Sequence, residues 1–350
     1  MAVNLFTKYQ NKLAALYNIN SFVKGKTSKD WEWDGAAHIK ILSPVTQDLN
    51  NYDRTAAGNR YGTPAELQDL AQTISVDQDK SFSIVIDDGN NTQQGMMKRA
   101  GEVLQAEVAE KVVPTIDTFA LGVYALLAGK VIDAGASLTS SNIIAKLTAM
   151  EDAMSDALMP MEGRYVFMKN ANVSLFRQAL TNCDNITDKI LLKGIVGKLG
   201  SLNIVGVPAS WMPKNIEAVA FQSKSVVLPE QIAKAIIHEN PQGFNGNVLE
   251  GRYLFGAGVV GAFCGGCVAL TANGKKASVS LSKSTHTVTA TGTNTDTIIY
   301  TVDGSDPRYS DTAKTYSAAV TLTSGQVFKA FGYTAAGQAY WASDVASEAY

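Results

Sequence analysis

Two glycine- and cysteine-bearing stretches and a scatter of acids and histidines are the residues of this chain that could do chemistry. "GAGVVG", residues 256 to 261, has the Gly-x-Gly-x-x-Gly spacing with which dinucleotide-binding folds bring backbone close to a pyrophosphate. That use also requires a capped helix directly afterwards and an acid about 20 positions on to hold the ribose. Here "AFCGGC" follows and no acid stands at that distance, so the glycines read as room for closely packed backbone. "CGGC" could give two thiolates, Cys264 and Cys267, to zinc or form a redox couple, but a tetrahedral site needs four ligands. Only Cys183 and the scattered His38, His238 and His286 remain to complete it, and structural roles are expected for all of them. Nucleophilic or acid-base catalysis would need a Ser or Cys on a sharp turn, or two carboxylates across a cleft. "SWMP" and "DDGNN" offer neither, and Glu151, Asp152 and Asp156 fall on the polar face of a helical pattern. The expectation is no metal, no cofactor and no enzyme.

Bulk properties point the same way. At 350 residues the chain exceeds one ordinary folding unit. Hydrophobic residues make up 46% and charged residues 18%, below the usual quarter or so, which suits a surface covered by partners. A net charge of -2 lacks the global basicity of a nucleic-acid binder, so any such contact would be local. Three cysteines are too few for a disulfide framework and fit a reducing compartment. The opening "MAVNLFTKYQNKLAALYNIN" places Leu5, Phe6, Tyr9, Leu13, Leu16 and Tyr17 at helical spacing, as an amphipathic helix does and a signal peptide does not. No window offers the uninterrupted apolar run of a membrane span, so a soluble protein is expected.

The elements that would position these residues follow from periodicity. "AAHIKILSP" and "QTISVDQDKSFSIVIDD" are strand-like, Phe82, Ile84 and Ile86 alternating with Ser81, Ser83 and Val85, and they flank a long polar tip. A tip of that length in a compact domain usually binds something. From Thr92 to about Ala128, Met96, Met97, Val103, Leu104, Val108, Val112, Ile116 and Phe119 recur at helical spacing, predicting a rod of roughly 55 Å kinked near Pro114. "SNIIAKLTAMEDAMSDAL" predicts a second amphipathic helix with Ile143, Leu147, Met150, Met154 and Leu158 on one face. "RYVFMK", "NVSLFRQALTN", "LNIVGVPASWMP" and "IEAVAFQSKSVVL" alternate strand and helix, predicting an α/β subdomain. In "EGRYLFGAGVVGAFCGGCVALTA", Tyr253, Phe255, Val259, Phe263 and Val268 imply buried strands. At "NGKKAS" the composition turns to Ser, Thr and Val, and short strands run to the end as an immunoglobulin-like sandwich.

Two resemblances are carried by motifs. "IIYTVDGSDPRYS" resembles the signature "YTxDGSDP" of the small β-sandwich appended to chitobiases and other carbohydrate-active enzymes. Over about residues 30 to 270, three stretches in fixed order resemble the major capsid proteins of tailed bacteriophages, the Hong Kong ninety-seven phage fold. They are "DLNNYDRTAAGNRYG" with its "SFSIVIDD" return strand, "AEVAEKVVPTIDTFALGVY", and "MPMEGRYVFMKNANVSLFRQAL".

The resemblance implies an α+β fold divided into an N-arm (1 to 35), an E-loop region (36 to 90), a P-domain (91 to 134 and 219 to 273), an A-domain (135 to 218) and a surface sandwich (274 to 350). It implies a structural coat protein, forming hexamers and pentamers around phage double-stranded DNA in the bacterial host cytoplasm, with portal and scaffolding proteins as further partners. Tyr52, Asp53, Arg54 and Arg60 would be the E-loop contact with a neighbour, and Leu5, Phe6, Tyr9 and Leu13 the N-arm contact. The sandwich would be autonomous, outward-facing and dispensable, with Tyr316, Tyr340 and Trp341 as candidate glycan-facing aromatics. The Lys to Asn cross-link of some members is not expected, because the tip holds arginines and no lysine. Rival readings are an encapsulin-like compartment shell and a carbohydrate-active enzyme with an accessory module.

Overall fold

The computed structural model describes residues 21–31, 38–45, 49–55, 58–62, 64, 66, 68–93, 99–181, 197–243, 245–334 and 342–350. The first unit is a hairpin. Strands β1 (His38–Val45) and β2 (Gln68–Ser75) pair antiparallel, from His38 opposite Ser75 to Val45 opposite Gln68. Ile41 and Ile74 bury its base against Val227 and Val260. Strand β3 (Gln78–Asp87) follows with the expected alternation: Ile86 is buried and Phe82 and Ile84 are half-buried, while Ser81, Ser83 and Val85 are exposed.

The long helix differs from the sequence reading. After a short α1 (Asp88–Gln93), α2 (Ala100–Glu107) runs through a π turn at Val108–Val112 into α3 (Val113–Leu126). Met96 and Met97 lie outside the described residues. The stretch from Ala100 to Leu126 spans about 40 Å at 1.5 Å per residue. Pro114 lies in the first turn of α3, where a missing N–H costs no helical bond. The π turn makes this place for it: the Val113 N–H reaches back five residues to the Val108 carbonyl, and Thr115 Oγ1 donates to the Lys111 carbonyl at 2.6 Å. Ile116, Ala120, Leu121, Tyr124 and Ala125 form the buried stripe of α3.

Next come β4 (Lys130–Asp133), α4 (Ile143–Asp156), β5 (Arg164–Lys169), α5 (Asn170–Thr181), β6 (Lys198–Leu199), β7 (Leu202–Val207) and β8 (Ile216–Gln222). The short β9 (Val226–Val227) precedes a long hairpin of β10 (Glu230–Glu239) and β11 (Gly246–Phe255), and β12 (Gly258–Val259) precedes β13 (Cys267–Thr271). A six-stranded mixed sheet has the order β4-β13-β8-β5-β7-β6, and a three-stranded antiparallel sheet the order β10-β11-β3. Helix α4 lays Ile143, Leu147, Met150 and Met154 on the six-stranded sheet, as its spacing predicted, against Val166, Met168 and Leu270. Leu158, expected on that face, follows the helix end at φ 58° and is exposed. The sheet takes β4 and β13 from outside residues 135 to 218, and β8 crosses residue 218. Phe263 corrects the expectation of a continuous buried run. It sits in the 3-10 turn Gly261–Gly266 and is 40% exposed, because strand pairing resumes only at Cys267.

The C-terminal part is all-β: β14 (Ser278–Ser284), β15 (Thr287–Thr293), β16 (Thr297–Thr301), β17 (Lys314–Thr315), β18 (Val320–Thr321), β19 (Val327–Tyr333) and β20 (Ala346–Ala349). Sheets β14-β15-β18 and β17-β16-β19-β20 enclose Val288, Ala290, Leu322, Phe328 and Ala330. This sandwich does not stand apart as expected. Successive residues of a strand face opposite ways, so while Phe328 and Ala330 fill the sandwich, Phe331 turns to the other side. There it joins Tyr309 and Ala342 in one continuous core with Leu121, Tyr124 and Phe221.

Candidate functional site

The far end of the β1–β2 hairpin is held by its own polar groups. The Asp53 N–H donates to the Arg60 carbonyl at 3.1 Å, and Asp53 Oδ1 accepts from the Thr55 N–H and hydroxyl at 2.8 and 2.6 Å. Gly62 at φ +90° turns the chain back, with Asn59 Nδ2 donating to its carbonyl. Tyr52 and Tyr61 meet edge-on at 5.0 Å. Around this ordered turn Leu49 is fully exposed, Tyr61 is 77% exposed and Tyr52 about half exposed. Of the expected tip contacts, Asp53 and Arg60 are thus brought together, Tyr52 pairs with Tyr61, and Arg54 lies in solvent. Leu49 and Tyr61 were not singled out from the sequence, where an apolar residue in a polar loop has no periodic partner to mark it. The expected N-arm residues Leu5, Phe6, Tyr9 and Leu13 lie outside the described residues.

The motifs with apparent chemistry are used in packing. A Cβ on Gly256 would stand 2.5 Å from the Ser75 carbonyl oxygen, and one on Gly258 would meet Ile74 at 2.9 Å, so both glycines let the 256–261 turn lie directly on β2. Cys264 and Cys267 are unbridged, and burial pushes both thiols up, away from the thiolate a metal or disulfide exchange needs. Cys183 lies outside the described residues. His238 pairs with Glu250 at 3.4 Å, His286 stacks on Tyr350 at 4.3 Å, and His38 opens β1. Among the described residues no group of three or more His, Cys, Asp or Glu could hold a metal, and no helix is long and apolar enough to cross a membrane. Glu151 is not simply solvated: its carboxylate accepts from the Ser201 N–H and hydroxyl at 2.6 and 2.7 Å.

That carboxylate belongs to a buried polar knot which the sequence did not announce. Arg164 has no exposed surface and donates to the carbonyls of Glu151, Met159 and Pro160 and to the hydroxyls of Ser155 and Ser201. It fixes the turn between α4 and β5, on which Met161 is 69% exposed. On the open face of the three-stranded sheet, Arg252 grips Asp79 with two hydrogen bonds of 3.0 and 2.6 Å, and those bonds hold the Asp79 carboxyl below its usual range.

Of the candidate glycan-facing aromatics, Tyr340 and Trp341 lie outside the described residues. Tyr316 is committed to the sandwich: its ring packs edge-on against Tyr300 at 6.0 Å and its hydroxyl accepts the Ala290 N–H at 3.0 Å.

No curated protein sequence matches the chain. The family described as Fn3 associated matches residues 287–350. Among solved structures, a chain of Mycobacterium phage Che8 aligns with TM-score 0.63 at 18% identity, covering 77% of this chain and 98% of that one. The capsid of cyanophage P-SCSP1u gives TM-score 0.63 at 14% identity, with 76% and 92% covered. The mature capsid of bacteriophage PhiM1 gives 0.59 at 15% identity, with 78% and 93% covered. Identities this low speak for fold rather than for activity. Hairpin arm, long helix and mixed α/β layer together give this chain the phage capsid fold, continued at its C-terminus by an all-β module of the Fn3-associated kind.

Proposed function

We propose that the chain is the major capsid protein of a tailed phage, a structural subunit whose copies form hexamers and pentamers of a closed shell around double-stranded DNA. The observation that supports this reading is the likeness to phage capsid chains over 76% and 78% of this chain and 92% and 93% of theirs. The arm supports it. An ordered turn that holds Leu49, Tyr52 and Tyr61 in water is costly for a lone monomer and useful when a neighbour covers it. Tyr52, Asp53, Arg54 and Arg60 are assigned to that neighbour contact, and Leu5, Phe6, Tyr9 and Leu13 to a second one. Assembly in the bacterial cytoplasm, a portal, a scaffolding protein and non-specific contact with packaged DNA belong to the same reading. So does an outward-facing sandwich, since an inward one would occupy volume the DNA needs.

Electron microscopy of the expressed chain, alone and with a scaffolding protein, tests it. Closed shells or ring-shaped capsomers are expected. A monodisperse monomer under every assembly condition overturns the reading, and shells enclosing a cargo enzyme in place of DNA would move it to a bacterial compartment.

A further inference from the structure

The loop between β16 and β17 touches the hairpin arm and the end of the long helix at once. Asp311 lies along the edge of β2 that β1 leaves open. Its N–H donates to the Ala71 carbonyl at 3.4 Å, and its carboxylate accepts from the Thr73 N–H and hydroxyl at 3.1 and 3.0 Å. Lys40 on β1 approaches the same carboxylate at 3.4 Å. Three residues earlier in the loop, Arg308 donates to the carbonyls of Ala128 and Gly129, and the Tyr309 hydroxyl donates to the carbonyl of Leu127. These carbonyls directly follow the last residue of α3, at the negative end of the helix dipole, which favours a cation. Arg308 is aimed there by Asp306, which takes its Nε and Nη2 at 3.0 and 2.6 Å, and its side chain is only 4% exposed.

The loop is itself stiff. Asp303 accepts from the Ser305 N–H and hydroxyl on one oxygen and from the Thr312 hydroxyl on the other, tying the start of the loop to its end. The arm's base is also closely fitted to the same place. Gln72 donates to the Val259 carbonyl and accepts from the Gly261 N–H, both at 2.7 Å. A Cβ on Gly261 would stand 2.8 Å from Tyr309 Cβ and 3.2 Å from Gln72 Oε1.

We propose that the loop Asp303–Thr312 is a clasp through which the C-terminal sandwich sets the direction of the hairpin arm relative to α3. A two-stranded hairpin is marginally stable on its own, so contacts at its base decide where its tip points. The clasp supplies those contacts along the free edge of β2, and Arg308 and Tyr309 root it at the end of α3. The sandwich is thereby a positioning part of the subunit, whatever its own surface binds.

Hydrogen exchange on the full chain, in unassembled form, tests it. Asp311→Ala removes the carboxylate from an exposed position, and with it both hydrogen bonds from Thr73 and the Lys40 contact. It is expected to speed exchange in residues 68–75 by about tenfold or more, while β15, β16 and β19 keep wild-type rates. Arg308→Lys, which keeps the charge and loses the fork, is expected to speed exchange both in 68–75 and in the last turn of α3. Wild-type rates across 68–75 in Asp311→Ala overturn the clasp; so does equal acceleration throughout the sandwich, which would mark general loosening. If Arg308→Lys does not fold, Asp311→Ala decides alone. Failure of the wild type to form shells would count against the proposed function and leave this result untouched.

Discussion

Arg54 is the tip residue with most to say about assembly, because it lies in solvent in the single chain. Arg54→Glu is expected to change folding stability by no more than about 0.5 kcal/mol, the ordinary range for an exposed substitution. If the side chain meets a neighbour, the reversed charge should cut particle yield about tenfold or more, since unfavourable charge contacts across an interface cost several kcal/mol. Denaturant titration and particle counting by microscopy separate the two effects, and normal particle yield would remove Arg54 from the interface. At this scale, local chemistry was legible and distant chemistry was not. The glycines of "GAGVVG" could be discounted as a cofactor loop because the missing helix and missing acid are sequence facts. The bond between Thr73 and Asp311 joins residues 238 positions apart and leaves no local trace. Arg164 is similar: a charged residue opening a strand reads as surface until Ser201 and the turn carbonyls are seen to enclose it.

Helix α3 shows how an element can carry a titratable group as a fastening. Asp117 is fully covered and accepts from the Ser21 hydroxyl at 2.6 Å and the Phe22 N–H at 2.7 Å, tying the segment from Ser21 onto the helix. Burial pushes its carboxyl above the ordinary aspartate value, with the Ser21 and Phe22 hydrogen bonds and the Lys26 charge opposing. A carboxyl raised in this way holds its proton more tightly folded than unfolded. Its contribution therefore favours folding below the ordinary value and declines as pH rises through the raised one. Asp117→Asn cannot ionise, so any stability deficit it shows should narrow between about pH 4, the ordinary aspartate range, and neutrality. Melting temperatures of both proteins across that range measure it, and a deficit that widens with pH is the contrary result. Helical spacing alone placed Ile143 to Met154 of α4 correctly, because one unbroken period covers the buried face. It misjudged the long helix, since periodicity averaged over many turns does not register one turn of different pitch.

For the whole molecule, the decisive fact is the core shared between sandwich and body. The break in composition at "NGKKAS" falls shortly before β14, the first strand of the sandwich, but composition says nothing about which strand faces are covered. Phe331, Tyr309 and Ala342 are covered by the body, and Lys276 and Lys130 reach Asp344 at 2.6 and 3.6 Å where β4 meets the sandwich. Removing residues 274 to 350 is therefore expected to uncover the ends of α3 and β4 and give an aggregating or strongly destabilised chain, losing more than about 4 kcal/mol. Solubility and thermal unfolding of the truncated protein test this. A soluble, cooperatively folded product with the full chain's melting temperature would restore the sandwich as a dispensable decoration.

The π turn at Val108–Val112 also bears on how the rod could change length. A single wide turn takes up about one residue more than an α turn, so it can hold a surplus residue while the packed length beyond it does not rotate. Ile116, Leu121 and Tyr124 keep their seats in the core while the surplus is absorbed upstream, in a stretch where only Ala109 is buried. The long rod thus has one place at which its sequence can gain or lose a residue without rewriting the contacts on either side, and drift in length among descendants of this chain should collect there.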